Sequence, residues 1–424
     1  MQRLLRGAHI IDPATGFNAV ADLAIADGRI LARGQIPAAF VAEEVLDGTG
    51  LVACPGLVEM ALQAHTPGHG RDGDLASELR AAVAGGVVHV ALSPATDPCA
   101  DTAGVIHQQR AIAVALGLAK VYPTGALTRQ LAGEALSEMA ALQEAGAVAF
   151  SQGRRTVSNG ALLRLALAYA ADFALPVLLH SEDALLAADG VMHEGALSVR
   201  LGLAGRTAIA EQVGVLRDLA IAQLVDCPVH IRHLSTMAAL DGVQAARQRR
   251  QRVTTDVSIH HLLLTEQDVG LFNIHAKTLP PLRPAGERDA LRQALAQGHI
   301  DAISSDHCPW GVDRVGQTFA QAPFGIAAVE LLLPLTLRLV DEGVLDLSAA
   351  IALLTTGPAR VLGLPTPSLA PGSAADLCIF DADRYFMVDP RQLVSQGKNQ
   401  PYGQWELRGQ VRYTLVDGRL VYRA

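Results

Sequence analysis

The sequence predicts an α/β protein: a TIM-type (β/α)8 barrel joined to a small β-sandwich domain built from both termini. Three observations carry this expectation. The two ends share a style of short alternating strands with Asp-Gly turns. The middle alternates short apolar strands with helical stretches over roughly 300 residues, the length of an eight-fold barrel. The chain has 424 residues, half of them apolar, which is ample for a large buried core.

The elements follow in order. LLRGAHIIDPATG runs into a Pro and Gly turn, and ADLAIADGRILARG places Asp27-Gly28 between two apolar runs, a hairpin signal. In the middle, GVVHVALSP is followed by TAGVIHQQRAIAVALG, and PVLLHSED leads into an Ala- and Leu-rich helix. PVHIRHLST precedes MAALDGVQAARQRR, and DAISSDHCP closes the series. At the far end, ADLCIFDADRYFMV and GQVRYTLVDGRLVYRA alternate again, with Asp417-Gly418 at a second hairpin. Residues 1–53 and 365–424 are therefore expected to form one composite β domain, and residues 54–364 the barrel.

Composition excludes several classes. A net charge of −8 gives no basic surface for nucleic acid. No stretch approaches a membrane span, and MQRLLRGAHIIDPATG has no apolar core of the secretory kind, so a cytoplasmic protein is expected. The five cysteines are scattered, odd in number and form no CxxC, which suits reduced thiols. Gly85-Gly86 is followed by no GK[ST], so it is not a phosphate loop. His260-His261 sits in a strand-like run and reads as packed structure.

Three polar residues stand where strands end: His180 after PVLL, His233 after PVHIR, and Asp306 after DAISS. In a barrel all three would face the C-terminal mouth, where active sites are built. Two imidazoles and a carboxylate are a plausible metal cluster. Spacing alone favours the plainer reading, hydrogen-bonded strand ends.

The order of motifs adds a resemblance. PGLVEMALQAHTPG, HSED, RHLSTMAAL, TTDVSIHHLLLT, LPPLRP, SSDHCP, PARVLG and KNQPYGQWELRGQVRYTLVDG occur in this sequence across almost the whole chain. Together they resemble a dihydroorotase of the amidohydrolase superfamily, the longer bacterial type. That resemblance implies a zinc-dependent cyclic amide hydrolase, with a His-x-His pair after the first barrel strand. The matching residues here are Ala61 and Gln63. Ala has no donor atom, and a neutral amide suits zinc poorly. The family's acidic or modified-lysine ligand falls on a segment where Gln152 stands.

The substrate side departs as well. The family's carboxylate-gripping Arg is matched by His65, and an imidazole does not give a two-toothed clamp. Two family Asn positions are Ala95 and Leu279, and a family His is Trp310. His180, His233 and Asp306 persist as vestigial ligand positions, Asp306 matching the family's proton-shuttling Asp. Bound zinc lowers the pKa of its water to about 7, so without it a general base has little to act on. The expectation is no catalytic residue and no resident metal, with zinc absent or weak.

The family includes inactive homologues that assemble with the aspartate carbamoyltransferase catalytic chain in pyrimidine synthesis. The resemblance therefore implies a structural subunit, a homodimer within a mixed dodecamer. Two other readings stay open: an enzyme with a shifted reaction using metal at His180, His233 and Asp306, and a small-molecule-binding module in the old pocket.

Overall fold

The computed structural model describes residues 2–314 and 316–424. Eight parallel strands follow one another in chain order around a barrel: Leu57–Leu62, Val87–Leu92, Lys120–Ala126, Ala149–Ser151, Val177–Leu179, Val229–Ile231, Val253–Ser258 and Ala302–Ser304. Each is followed by a helix on the outside, among them Leu75–Ala84, Ala103–Leu116, Gly160–Ala171, Ala208–Leu224 and Met237–Gln248. Side-chain caps start several of these helices. Asp74 accepts from the Ser77 N–H, Asn159 from Ala161 and Leu162, and Thr236 from Ala239, each satisfying a backbone donor that the helix leaves free. The strands read as continuous apolar runs because both faces are covered, as parallel sheets require.

The first and last barrel strands are joined by side-chain and loop contacts. The Glu59 carboxylate, fully buried, accepts the N–H of Ala61 at 2.7 Å and that of Ser305 at 2.9 Å. The Gln63 N–H donates to the His307 carbonyl at 2.8 Å. Burial pushes the Glu59 carboxyl up, while the Ser305 and Ala61 donors pull it back.

Strands from both termini form one continuous sheet. Its order runs from Arg419–Arg423 through Glu406–Val416, Leu377–Met387, Val52–Pro55 and Arg3–Asp12 to Phe17–Ala26 and Arg29–Arg33, with Glu44–Asp47 also pairing Arg3–Asp12. The strands close on a core of their own that includes Leu5, Ile10, Leu23, Ile25, Leu377, Ile379 and Leu415. Val52–Pro55 belongs to this sheet, and Leu57 opens the barrel. Asp27-Gly28 and Asp417-Gly418 all have positive φ, the geometry of tight hairpin turns. The two turns also touch: a Cβ on Gly28 would lie 3.2 Å from the Asp417 carbonyl oxygen.

Sheet and barrel are packed tightly. A Cβ on Gly86, at φ +80°, would overlap the Cys378 Sγ at 2.3 Å, so only glycine fits beneath that strand. Beside it, Lys120 at the start of the third barrel strand pairs with Asp376 at 2.7 Å and Asp417 at 2.6 Å.

Two local expectations are corrected. The Ala- and Leu-rich stretch after HSED forms only one helical turn, Ala184–Ala187. A small parallel pair, Met192–His193 with Gly205–Arg206, intervenes before the long helix Ala208–Leu224 begins. Its close approach is permitted by Gly190, where a Cβ would lie 2.5 Å from the Gly205 oxygen. His260-His261 is helical, within Ile259–Leu263, because the strand ends at Ser258, whose hydroxyl meets His261 Nδ1 at 3.0 Å. Both histidines are buried, as a packed reading requires.

Glu59→Ala should be severely destabilising. It strands two buried N–H donors and leaves a cavity across the barrel seam, for a loss of about 3 kcal/mol or more in urea unfolding. A loss below about 1 kcal/mol would show that the seam does not depend on this carboxylate.

Candidate functional site

The polar residues predicted at strand ends gather at the C-terminal mouth. His180 follows the fifth strand, His233 the sixth and Asp306 the eighth. Asp306 (φ 44°) and His233 (φ 54°) both adopt the left-handed backbone region, which costs energy for a residue with a Cβ and persists only where surrounding structure enforces it. His233 Nδ1 lies 3.5 Å from Asp306 Oδ1, and its Nε2 lies 3.6 Å from Asp256 Oδ2. Asp256 also accepts the His233 N–H at 2.8 Å and meets His230 Nε2 at 3.1 Å.

His180 does not join them. Its Nε2 faces Glu182 Oε2 at 3.8 Å, and Glu182 is itself bound by Arg206. The structure thus brings together two of the three sequence-predicted positions and leaves the third on a separate cluster. Among the described residues, no three His, Cys, Asp or Glu side chains are placed to hold one metal ion.

The remaining positions are committed elsewhere. Ala61 is buried on the first strand and presents a methyl group. The Gln63 amide donates to the Ala95 carbonyl. Gln152 exchanges hydrogen bonds with the Thr128 hydroxyl, at 2.7 Å through Nε2 and 3.0 Å through Oε1. His65 donates through Nε2 to the Pro309 carbonyl at 3.1 Å. Trp310 is buried, donates to the Gly325 carbonyl at 3.2 Å and stacks flat on His275 with centroids 5.5 Å apart. Leu279 is half-buried and carries no polar atom on its side chain.

The dominant charge in the mouth is one the sequence reading missed. Arg154, just beyond the fourth strand, reaches Asp306 with Nη2 at 2.6 Å from Oδ1 and 3.1 Å from the backbone oxygen. Burial pushes the Asp306 carboxyl up, but its charged neighbours, Arg154 first among them, outweigh it and hold the group below its ordinary value. Asp306 is thus an ionised partner of a guanidinium. A second buried arginine, Arg232, donates weakly to the Ser151 hydroxyl at 3.4 Å. The only sequence signal for Arg154 was the Arg154-Arg155 pair after Gly153, which reads equally well as a solvated loop.

These residues do not fit a zinc site. Zinc needs convergent anionic or imidazole donors. Here one carboxylate is neutralised by Arg154, His180 is turned aside, and the positions at Ala61, Gln63 and Gln152 offer a methyl group and two neutral amides.

The C-terminal segment packs against the loops that follow the seventh and eighth strands. Asn399 accepts the Trp310 N–H at 2.9 Å and donates to the carbonyls of Cys308 and Gly325 at 3.0 and 2.9 Å. The fully buried Tyr402 meets His260 Nδ1 at 2.7 Å through its hydroxyl. Lys277 is buried too, and its Nζ donates to the carbonyls of Phe319, Ala320 and Ala322 at 2.7 to 3.0 Å.

A (β/α)8 barrel with a sheet domain from both termini and a polar mouth at the strand ends defines the class. The chain belongs to the amidohydrolase family, whose model matches residues 125–422. Within it the chain is dihydroorotase-like. It is 43% identical over 418 residues, 99% of each chain, to a "Dihydroorotase-like protein" of Pseudomonas aeruginosa. It is 40% identical to a "Dihydroorotase" of Syntrophotalea carbinolica over 423 residues, 100% of this chain and 99% of the other. Among solved structures, L-hydantoinase from Arthrobacter aurescens superposes with a TM-score of 0.87 at 22% identity, covering 99% of this chain and 96% of that one, a likeness of fold. Among the described residues, no helix is long and apolar enough to cross a membrane.

The mouth should make the fold acid-sensitive. Burial pushes His233 and His261 down to about 4 and His260 to about 3, and His89 and His193 to about 4 elsewhere. Unfolding exposes imidazoles with an ordinary pKa of about 6.5, so the unfolded chain binds more protons below that value. Stability is therefore full above about pH 6.5 and falls as the pH drops towards 4. Urea midpoints at pH 7.5 and 5.5 should differ clearly, with His260→Asn reducing the difference. Equal midpoints would contradict this assignment.

Proposed function

We propose that this chain is a non-catalytic member of its family and that it works by folded shape, supporting the aspartate carbamoyltransferase catalytic chain in cytoplasmic pyrimidine synthesis. One observation carries the non-catalytic part: the ion pair between Arg154 and Asp306 at 2.6 Å. A fixed guanidinium stands beside the carboxylate that would otherwise help to hold a metal or take a proton. A guanidinium so close repels a dication, and an Asp held below its ordinary pKa is a poorer proton carrier than a free one. No resident zinc is proposed.

Two further observations support the reading. The losses at Ala61, Gln63, Gln152, His65, Ala95, Leu279 and Trp310 touch the metal side and the substrate side together, whereas a change of specificity would touch one. The vacated positions are also repacked into closed hydrogen bonds and an aromatic stack. The partner's identity rests on the resemblance to inactive dihydroorotase homologues, and the proposed assembly is a mixed dodecamer of the two chains. The binding-module reading keeps one observation in its favour. Arg154 Nη1 is buried in the mouth without a hydrogen-bond partner and would suit a small anionic ligand.

Co-expression with the carbamoyltransferase catalytic chain should yield one co-eluting complex. That enzyme's mass and activity should fall when this chain is left out. Independent elution with full activity of the carbamoyltransferase alone would end the scaffold proposal and favour the binding module. A second test addresses the mouth. Arg154→Ala leaves Asp306 buried and unpaired, at a cost of about 3 kcal/mol or more. Added zinc should leave the melting temperatures of both the variant and the unaltered protein unmoved, because Ala61, Gln63 and Gln152 still supply no anionic or imidazole donor. Stoichiometric zinc in the unaltered protein, purified without added metal, would refute the account of the site.

A further inference from the structure

We propose that the crevice between the sheet domain and the N-terminal end of the barrel binds a small hydroxylated acid, its oxyanion on Arg29 and a hydroxyl on Tyr122. The crevice has a volume of about 350 Å³. That lies at the lower end of the range for small-molecule sites, roughly 300 to 1,000 Å³. Three parts of the chain enclose it. Arg29 comes from the edge strand Arg29–Arg33, and Thr366, Pro367 and Ser373 come from the segment that leads from the barrel back to the sheet. His89 and Tyr122 come from the second and third barrel strands. Lys120 opens that third strand and Ala126 ends it, so the crevice lies about 20 Å, a strand's length, from the mouth.

The floor is built, and its carboxylate is fully engaged. His89 and Asp376 are both buried. Asp376 Oδ1 accepts the Asp417 N–H at 2.8 Å, while Oδ2 meets Lys120 Nζ at 2.7 Å and faces His89 Nε2 at 3.4 Å. Burial holds His89 down at about 4, so its ring is neutral at pH 7 and carries one ring proton. The facing carboxylate draws that proton to Nε2, which leaves Nδ1 as an acceptor. Burial raises the Tyr122 phenol, which keeps its own proton. The Tyr122 hydroxyl, 3.1 Å from His89 Nδ1, therefore donates to it and keeps its lone pairs for a ligand.

At the rim the free capacity is of the opposite kind. Arg29 is exposed, and its guanidinium donates through Nη1 to the Gly372 carbonyl at 2.8 Å. Among the described residues it pairs with no carboxylate, and the Thr366 and Ser373 hydroxyls make no hydrogen bond. A guanidinium with free N–H groups beside two hydroxyls calls for an oxyanion, carboxylate or phosphate, which takes such donors in pairs. With Asp376 already engaged, that anion meets no free carboxylate. Deeper in, a phenol oxygen with lone pairs to offer calls for an O–H, and the buried Pro367 gives the ligand's carbon skeleton an apolar wall. A molecule held in this way bridges the sheet edge, the returning segment and two barrel strands.

This inference does not rest on the proposed function, since the crevice and the mouth stand at opposite ends of the barrel. The test is calorimetric titration of the purified full chain with two hydroxylated acids, gluconate and ribose 5-phosphate, beside neutral ribose. At least one acid should bind at one site per chain with a dissociation constant of about 1 mM or below, and ribose should not bind. Arg29→Gln should weaken that binding about tenfold or more, the loss of a charge-assisted pair. Tyr122→Phe should weaken it about threefold or more with an unchanged circular dichroism spectrum. Arg384→Gln, exposed on the same sheet, should change nothing. Binding of gluconate alone would name a carboxylate and binding of ribose 5-phosphate alone a phosphate monoester, and either supports the site. No binding of either acid, equal binding of ribose, or binding undiminished by Arg29→Gln would each overturn the inference.

Discussion

The ion pair of Arg154 with Asp306 is the constraint on which the rest of the mouth depends. A barrel that gathers carboxylates and imidazoles at its strand ends has to neutralise them, because burying an uncompensated charge costs several kcal/mol. In a metal-dependent barrel a cation from solution does this. Here the chain supplies its own cation at 2.6 Å. Around that pair the other groups settle into neutral arrangements. His233 is pushed to about 4 and so stands uncharged, His65 and Trp310 donate to carbonyls, and Gln63 and Gln152 satisfy themselves within the loops.

The backbone of the mouth is strained where its polar residues stand. Asp306 and His233 have positive φ, a strain that persists because the surrounding seam imposes it. That seam is visible: Glu59 ties the first strand to Ser305, one residue before Asp306, and Asp256 holds the N–H of His233. The strained turns thus serve barrel closure whether or not chemistry follows.

Much of this was legible in the residues. The Asp-Gly turns at 27–28 and 417–418 marked the hairpins because only a few residue types adopt positive φ cheaply, and the strands at both ends meet in one sheet. The barrel followed from the repetition of apolar strands and helices. That Ala61 and Gln63 are not imidazoles was plain, since residue type needs no structure to be read. What could not be read was direction. Arg154 has a long, flexible side chain on a loop, and nothing local says that it turns inward to Asp306. His180 follows its strand as His233 does, yet it faces Glu182. His260 and His261 looked strand-like because periodicity over so few residues does not separate a strand from one helical turn. The role of Tyr402 depends on a partner 142 residues away in sequence, a separation no local pattern spans.

The most direct test of the central claim is hydrolysis of dihydroorotate by the isolated chain, with and without added zinc, beside the double variant Ala61→His, Gln63→His. The account predicts no turnover from the unaltered protein. It predicts none from the double variant either, because Arg154 still holds Asp306 and the positions at His65, Ala95 and Leu279 still fail to grip a carboxylate. Robust turnover by the unaltered chain, abolished by a chelator, would contradict it.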